Sequence, residues 1–291
     1  MTAQPSATLV SFAEGAVRET GVVERVDALE TGTVVVVVDR TPFHPVDHTW
    51  PDQPGDSGTI SLDDSSVRVT EAVMAAVSDD GAFAVGTDIP VKRGVDGWTW
   101  LVAHPLEGEA PGWLVPGAEV ELIVDEPRRA GLSRGHTACH LASLALDLAL
   151  ADLWRKDPGL DALGTPDFEG RANQSSRIHE DGAVDEYRLG KSLRRAGFDT
   201  ETFAATLDER VASINATLAE WVVSGAESRV VPAGPTIVDR RTWHCELPVG
   251  TADILCGGTH AASLAEFASI TVALDLADPQ LLVMTTSAVP A

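Results

Sequence analysis

Two short stretches, "HTACH" at 136–140 and "CGGTH" at 256–260, limit the folds open to this chain more than any other feature. On a helix, His136 and His140 stand one turn apart on one face and present two imidazoles to one point. In the second stretch, two glycines between Cys256 and His260 permit a bend that turns a thiol and an imidazole together. Imidazole nitrogen and thiolate sulfur are zinc-type donors. A shared Cys/His3 site would require the fold to join two segments far apart in the chain. The alternative is a buried cysteine beside histidines satisfied within a core. A second HxxxH, His44 and His48 in "FHPVDH", reads as a loop, because Pro45 and its turn-forming neighbours oppose a helix.

The first 127 residues read as β structure. Apolar runs "TVVVVVD" (33–39), "VRVTEAV" (67–73), "GAFAVG" (81–86), "GWTWLVA" (97–103) and "EVELIVD" (119–125) alternate with turn-rich pieces. That spacing predicts a small barrel or sandwich, with Trp50, Trp98, Trp100 and Trp113 mostly in its core. From about Ser133 the pattern changes. Leu141, Leu144, Leu148 and Trp154 fall at helical spacing, and the helix should end before Asp157. A second helix is expected over 199–225, with Phe203, Leu207, Val211, Ile214, Leu218 and Trp221 on one face. Strand-like pieces follow near 228–232, 236–239, 242–247, 269–274 and 281–286. The expected class is α+β: a small N-terminal β-barrel domain over 1–127, then a domain over 128–291 with helices packed on an antiparallel sheet.

The N-terminus shows no basic segment leading into an apolar one, and the longest aliphatic run is too short to span a bilayer. A cytoplasmic protein without membrane partners is the expectation. Three cysteines are too few for a disulfide framework. Cys139 and Cys245 read as buried apolar groups, and His244 as a surface or supporting histidine. The net charge of −23 is concentrated in the first 127 residues and opposes non-specific binding to DNA or any polyphosphate. Contact with a nucleic acid would fall to local clusters: Arg128, Arg129 and Arg134, and Arg188, Lys191, Arg194 and Arg195.

Taken together, "HTACH…CGGTH" with "DRTPF" (39–43) and "QPGDSG" (53–58) upstream resembles the alanyl-tRNA editing proteins, the AlaX family. These are freestanding relatives of the alanyl-tRNA synthetase editing domain, and the threonyl-tRNA synthetase editing domain shares their second half. The resemblance spans most of the chain. It implies a barrel domain carrying the D-x-T-x-F and G-D-x-G elements, then an editing domain with a zinc site. By resemblance, His136, His140, Cys256 and His260 are the zinc ligands and catalytic residues. Thr41 takes the place of a threonine that senses a substrate hydroxyl. His44, His48, Gln53, Asp56, Arg128 and Arg134 are candidate substrate contacts. Where the family has a Gly-Gly-Gln run, this chain has "FHPVDHTWPDQPGDSG", which keeps Gln53 and Asp56 but replaces the glycines. "GTHAASLAEF" also departs from the usual continuation, although Glu266 is retained.

The implied activity is deacylation, in trans, of tRNA carrying the wrong amino acid, of the Ser- or Gly-tRNA(Ala) type. The altered 44–58 loop makes tRNA(Thr) charged with a threonine-like residue such as fluorothreonine the alternative. A zinc-dependent hydrolase of a small ester or amide is a third reading, and a non-catalytic zinc or RNA-binding module a fourth. Four protein ligands would close a zinc shell, so a catalytic site predicts that His260 or His136 yields, or that the shell expands to five. A His/Cys set that orients water without tightly held metal is also open. The sequence leaves the oligomeric state open, a homodimer included.

Overall fold

Five consecutive valines, Val34–Val38, form a strand flanked on both sides by others, and four of the five are wholly buried. β-branched side chains suit such a position, since their restricted rotamers pack well on a pleated surface. The computed structural model describes residues 6–291. These form two units. The first holds residues up to Arg129 with 231–241 and 257–259; the second holds 130–230, 242–256 and 260–291.

Among the described residues up to Arg129, the first unit contains ten strands: β1 (Leu9–Val10), β2 (Arg18–Ala28), β3 (Val34–Val38), β4 (Arg40–Thr41), β5 (Gly58–Leu62), β6 (Ser65–Val69), β7 (Val73–Ser78), β8 (Phe83–Val85), β9 (Trp98–Pro105) and β10 (Glu119–Val124). Eight of them make one antiparallel sheet in the order β6-β5-β10-β2-β3-β9-β7-β8, while β1 and β4 pair in parallel. Thr70 N donates to Pro105 O and Glu107 N to Arg68 O, each at 2.9 Å, beside a Val69–Leu106 bridge. These bonds link the end of β6 to the end of β9. The core gathers Val35, Val37, Ala75, Val77, Leu101 and Ala103. Trp100 is also buried, but Trp50 stands exposed on its loop and Trp98 and Trp113 are half-buried.

The remaining elements begin with helix α1 (Glu126–Leu150), within which the division between the units falls. It starts earlier than the apolar periodicity suggests. Asp125 accepts the Arg128 N–H, and Pro127 sits in the first turn, where its missing donor costs nothing. The chain continues with α2 (Glu169–Ala172), β11 (Asn173–His179), β12 (Gly182–Arg188), α3 (Lys191–Ala196), α4 (Thr200–Ala205), α5 (Leu207–Ser224), β13 (Ser228–Pro232), β14 (Arg241–Leu247), β15 (Gly250–Leu255), β16 (Phe267–Asp278) and β17 (Leu281–Pro290). An antiparallel sheet runs β11-β12-β17-β16, and a three-stranded one runs β13-β14-β15. Helix α5 lies on β16, where the Asn215 side chain donates to Val272 O and accepts from Val272 N at 3.0 and 2.7 Å. Leu141, Ala145, Ile214, Leu218, Trp221 and Trp243 meet in one core. The class is therefore mixed α and β with antiparallel sheets.

Three local expectations are corrected. The 199–225 helix is broken at Thr206 into α4 and α5. Residues 236–239 form a turn, tied by Asp239 to Thr236, rather than a strand. Leu148 is exposed, because the buried stripe of α1 runs through Leu141, Leu144 and Ala145.

Candidate metal centre

Helix α1 carries His136 and His140 with ring centroids 4.9 Å apart. Its position is set one residue earlier. A Cβ at Gly135 would lie 2.2 Å from His179 O and 2.7 Å from Gly182 O, so α1 rests directly on the β11–β12 hairpin backbone. Arg134 locks the same contact, donating to Asp181 Oδ1 at 2.6 Å. Its guanidinium is thereby committed to the hairpin turn.

Cys256 follows β15, and the chain then turns through Gly257 and Gly258 to His260. Side chains hold the bend. Gln53, itself buried, accepts the Thr259 N–H at 3.0 Å and donates to Thr259 Oγ1 at 2.9 Å. Thr137 Oγ1 accepts the Ala261 N–H at 3.0 Å. Glu266 accepts from Ala262 N and Ser263 N, completing a capping box with Ser263.

The two segments converge. Donor atoms of His136, His140, Cys256 and His260 all lie within 4.8 Å of one another, with His136 buried and the others half-buried. Cys256 Sγ is 3.4 Å from His136 Nε2 and 3.3 Å from His260 Nε2. A tetrahedral zinc ion, with bonds near 2.0–2.3 Å, places its N and S donors roughly 3.3–3.6 Å apart. The donor chemistry and these two separations suit a zinc-type metal ion, while the bound on the whole group, 4.8 Å, is wider than a tetrahedral edge. Trp243 backs the group, its ring stacked on His140 at 5.2 Å while Nε1 donates to Ser228 Oγ.

The other candidates fall in the first unit, apart from Arg134. Thr41 is fully buried; its Oγ1 lies 2.8 Å from His104 Nε2 and accepts the Phe43 N–H at 3.1 Å. Asp56 receives His44 N and forms a buried ion pair with Arg129, which also donates to Pro42 O. His44 packs edge-on against Phe12, and its pKa is lowered to about 3 by burial and by Arg129 and Arg241. His48 stacks on Trp100, with Nε2 3.0 Å from Val91 O. Arg128 donates to Gly55 O at 2.7 Å. Cys139 and Cys245 are buried, and His244 bonds Asp253 on the exposed side of β14. Residues that sequence patterns do not single out are His104, Thr137, Trp243 and Thr259. Only Thr137 and Thr259 carry a signal, by lying inside the two motifs.

No family model matches the chain. It is 27% identical over 251 residues to an alanine–tRNA ligase of Cereibacter sphaeroides, 29% over 242 to one of Ruegeria pomeroyi, and 28% over 228 to one of Kineococcus radiotolerans. These alignments take in 84%, 80% and 78% of this chain but 24%, 23% and 21% of the relatives. The chain thus spans about a quarter of the length of the curated relatives it matches. Its likeness is to a segment of alanine–tRNA ligases. Among the described residues, no helix is long and apolar enough to cross a membrane.

Proposed function

We propose that this chain is an aminoacyl-tRNA deacylase that acts in trans, hydrolysing the ester of a mischarged tRNA at a zinc site held by His136, His140, Cys256 and His260. The observation that carries the reading is the convergence of those four donors from segments 120 residues apart. Likeness to alanine–tRNA ligases over about four fifths of the chain supports tRNA(Ala) as the carrier; serine or glycine is the wrong residue in this reading. We read the first unit as a barrel, supported by the bonds that join β6 to β9 around a ring of six strands.

Zinc, when bound, supplies Lewis acidity that polarises a carbonyl and lowers the pKa of water towards about 7. An aminoacyl ester is an activated carbonyl, so the chain's own task is positioning more than extreme acceleration. The imidazoles of α1 and the 256–260 turn hold the centre, and Trp243 limits the tilt of the His140 ring. Thr41, His44, His48, Gln53, Asp56 and Arg128 are proposed to shape substrate preference, and Arg134 to do so only through the hairpin turn that it holds.

The test is a panel of charged tRNAs. Ser-tRNA(Ala) should be deacylated faster than Thr- or analogue-charged tRNA(Thr), and His140→Ala should lose about 100-fold or more while staying folded. Preference for the tRNA(Thr) substrates would shift the assignment to the threonine-like alternative. Equal activity on free aminoacyl esters, insensitive to salt, would shift it to a small-molecule hydrolase.

A further inference from the structure

Thr137 lies between the two α1 histidines and is fully buried, yet its side chain points at the other motif. Its Oγ1 sits 3.1 Å from His260 Nδ1 and 3.0 Å from Ala261 N. The Ala261 N–H can only donate, so it takes one lone pair of the hydroxyl oxygen. Nδ1 then either receives the hydroxyl proton or gives its own proton to the second lone pair. The two cases differ at the far side of the ring, where Nε2 faces Cys256 Sγ at 3.3 Å. Only a protonated Nδ1 leaves the Nε2 lone pair available to a metal ion. A donor imidazole is held in this way when its other nitrogen has a fixed acceptor.

We propose that Thr137 is a positioning residue for the zinc centre: its Oγ1 accepts the Nδ1 proton of His260, fixing the tautomer and ring plane that direct Nε2 to the metal. The same oxygen anchors the backbone just after His260, so one hydroxyl fixes both the ring and its attachment point. His260 is then a firmly held donor, which sets it apart from the yielding ligand expected at a catalytic site. This inference rests on the reading that the four donors hold zinc.

The test uses the full chain, stripped of metal and titrated with zinc against a chromophoric chelator. Thr137→Val, which keeps shape but removes the acceptor, should weaken zinc binding by about 10–100-fold. Thr137→Ser, which restores the hydroxyl, should return affinity close to the starting protein. Cobalt loading adds a signature that a packing defect alone would not move: the Val variant should alter the thiolate-to-cobalt absorption, and the Ser variant should not. Should Thr137→Val fold poorly, nitrogen-15 spectra of the metal-free starting protein decide, with His260 assigned by its loss in His260→Gln. A proton on Nδ1 supports the proposal, and a proton on Nε2 overturns it. Wild-type zinc affinity in a folded Thr137→Val also overturns it while leaving the zinc reading intact. A starting protein that binds no zinc removes both.

Discussion

Buried polar side chains in the first unit carry costs that single substitutions expose. Asp56 and Arg129 are almost wholly enclosed, and Asp56 also receives His44 N. Asp56→Ala strands a buried guanidinium and should cost about 3–5 kcal/mol in a urea titration. The exposed Arg18–Glu121 pair should contribute about 0–1 kcal/mol by the same measurement. Thr41→Val removes the acceptor for Phe43 N and a partner of His104, and is expected to cost about 1–3 kcal/mol, with Thr41→Ser near the starting value. If Thr41 also senses a substrate hydroxyl, the Val variant should change the ratio of Ser, Thr and Ala ester hydrolysis more than the overall rate. Burial lowers the pKa of His104 to about 4, and burial with Arg129 and Arg241 lowers that of His44 to about 3. Both are neutral in the fold, whereas the unfolded chain takes up protons below about 6.5. Their contribution to stability is complete above 6.5 and lost as pH falls towards 4 and 3. Melting temperatures between pH 7 and 4 check this, and a flat profile there would contradict it.

Single elements set the geometry of the centre. Helix α1 approaches the β11–β12 hairpin because Gly135 has no Cβ, and Gly135→Ala should cost roughly 1–3 kcal/mol through overpacking. Farther along α1, Asp147 accepts the N–H groups of Phe168 and Glu169, and its pKa is pushed up to about 9 by burial. It therefore keeps its proton in the fold at neutral pH. Its contribution is complete below 3.8 and is lost as pH rises through about 9. Asp147→Asn keeps the accepting oxygen and removes this dependence, so its melting temperature should exceed the starting protein's at pH 8 and not at pH 4. Elements are readable where the apolar pattern is clean. The valine run of β3 and the helical stripe of α1 stand out in the sequence. Strand β2, "RETGVVERVDA", does not, because only two of its eleven residues are buried and charged residues interrupt its pattern. The β11–β12 hairpin is hidden for a similar reason, since β11 alternates polar Asn, Ser and Arg with little apolar content. The break at Thr206 is a local backbone event that periodicity does not register.

At the scale of the whole molecule, charge and the donor set bear on function. The net charge of −23 opposes binding of a polyanion such as the proposed tRNA, and Arg129 and Arg134 are already committed to Asp56 and Asp181. Arg188, Lys191, Arg194 and Arg195 are all exposed around α3. If they neutralise tRNA phosphates, replacing all four with Gln should flatten the dependence of log affinity on log salt by about 0.7–0.9 for every phosphate left without its cation. An unchanged slope would place the RNA elsewhere. The four donors are readable in the sequence because metal chemistry restricts residue type and spacing together. Their supports are not, since Gln53 and Thr259, or Thr137 and His260, meet only through the fold. The most direct measurement is deacylation of Ser-tRNA(Ala) by the purified chain before zinc removal, after it, and after zinc is restored. Activity should disappear with the metal and return with about one equivalent per chain. Full activity with less than about a tenth of an equivalent of zinc would contradict the proposed centre.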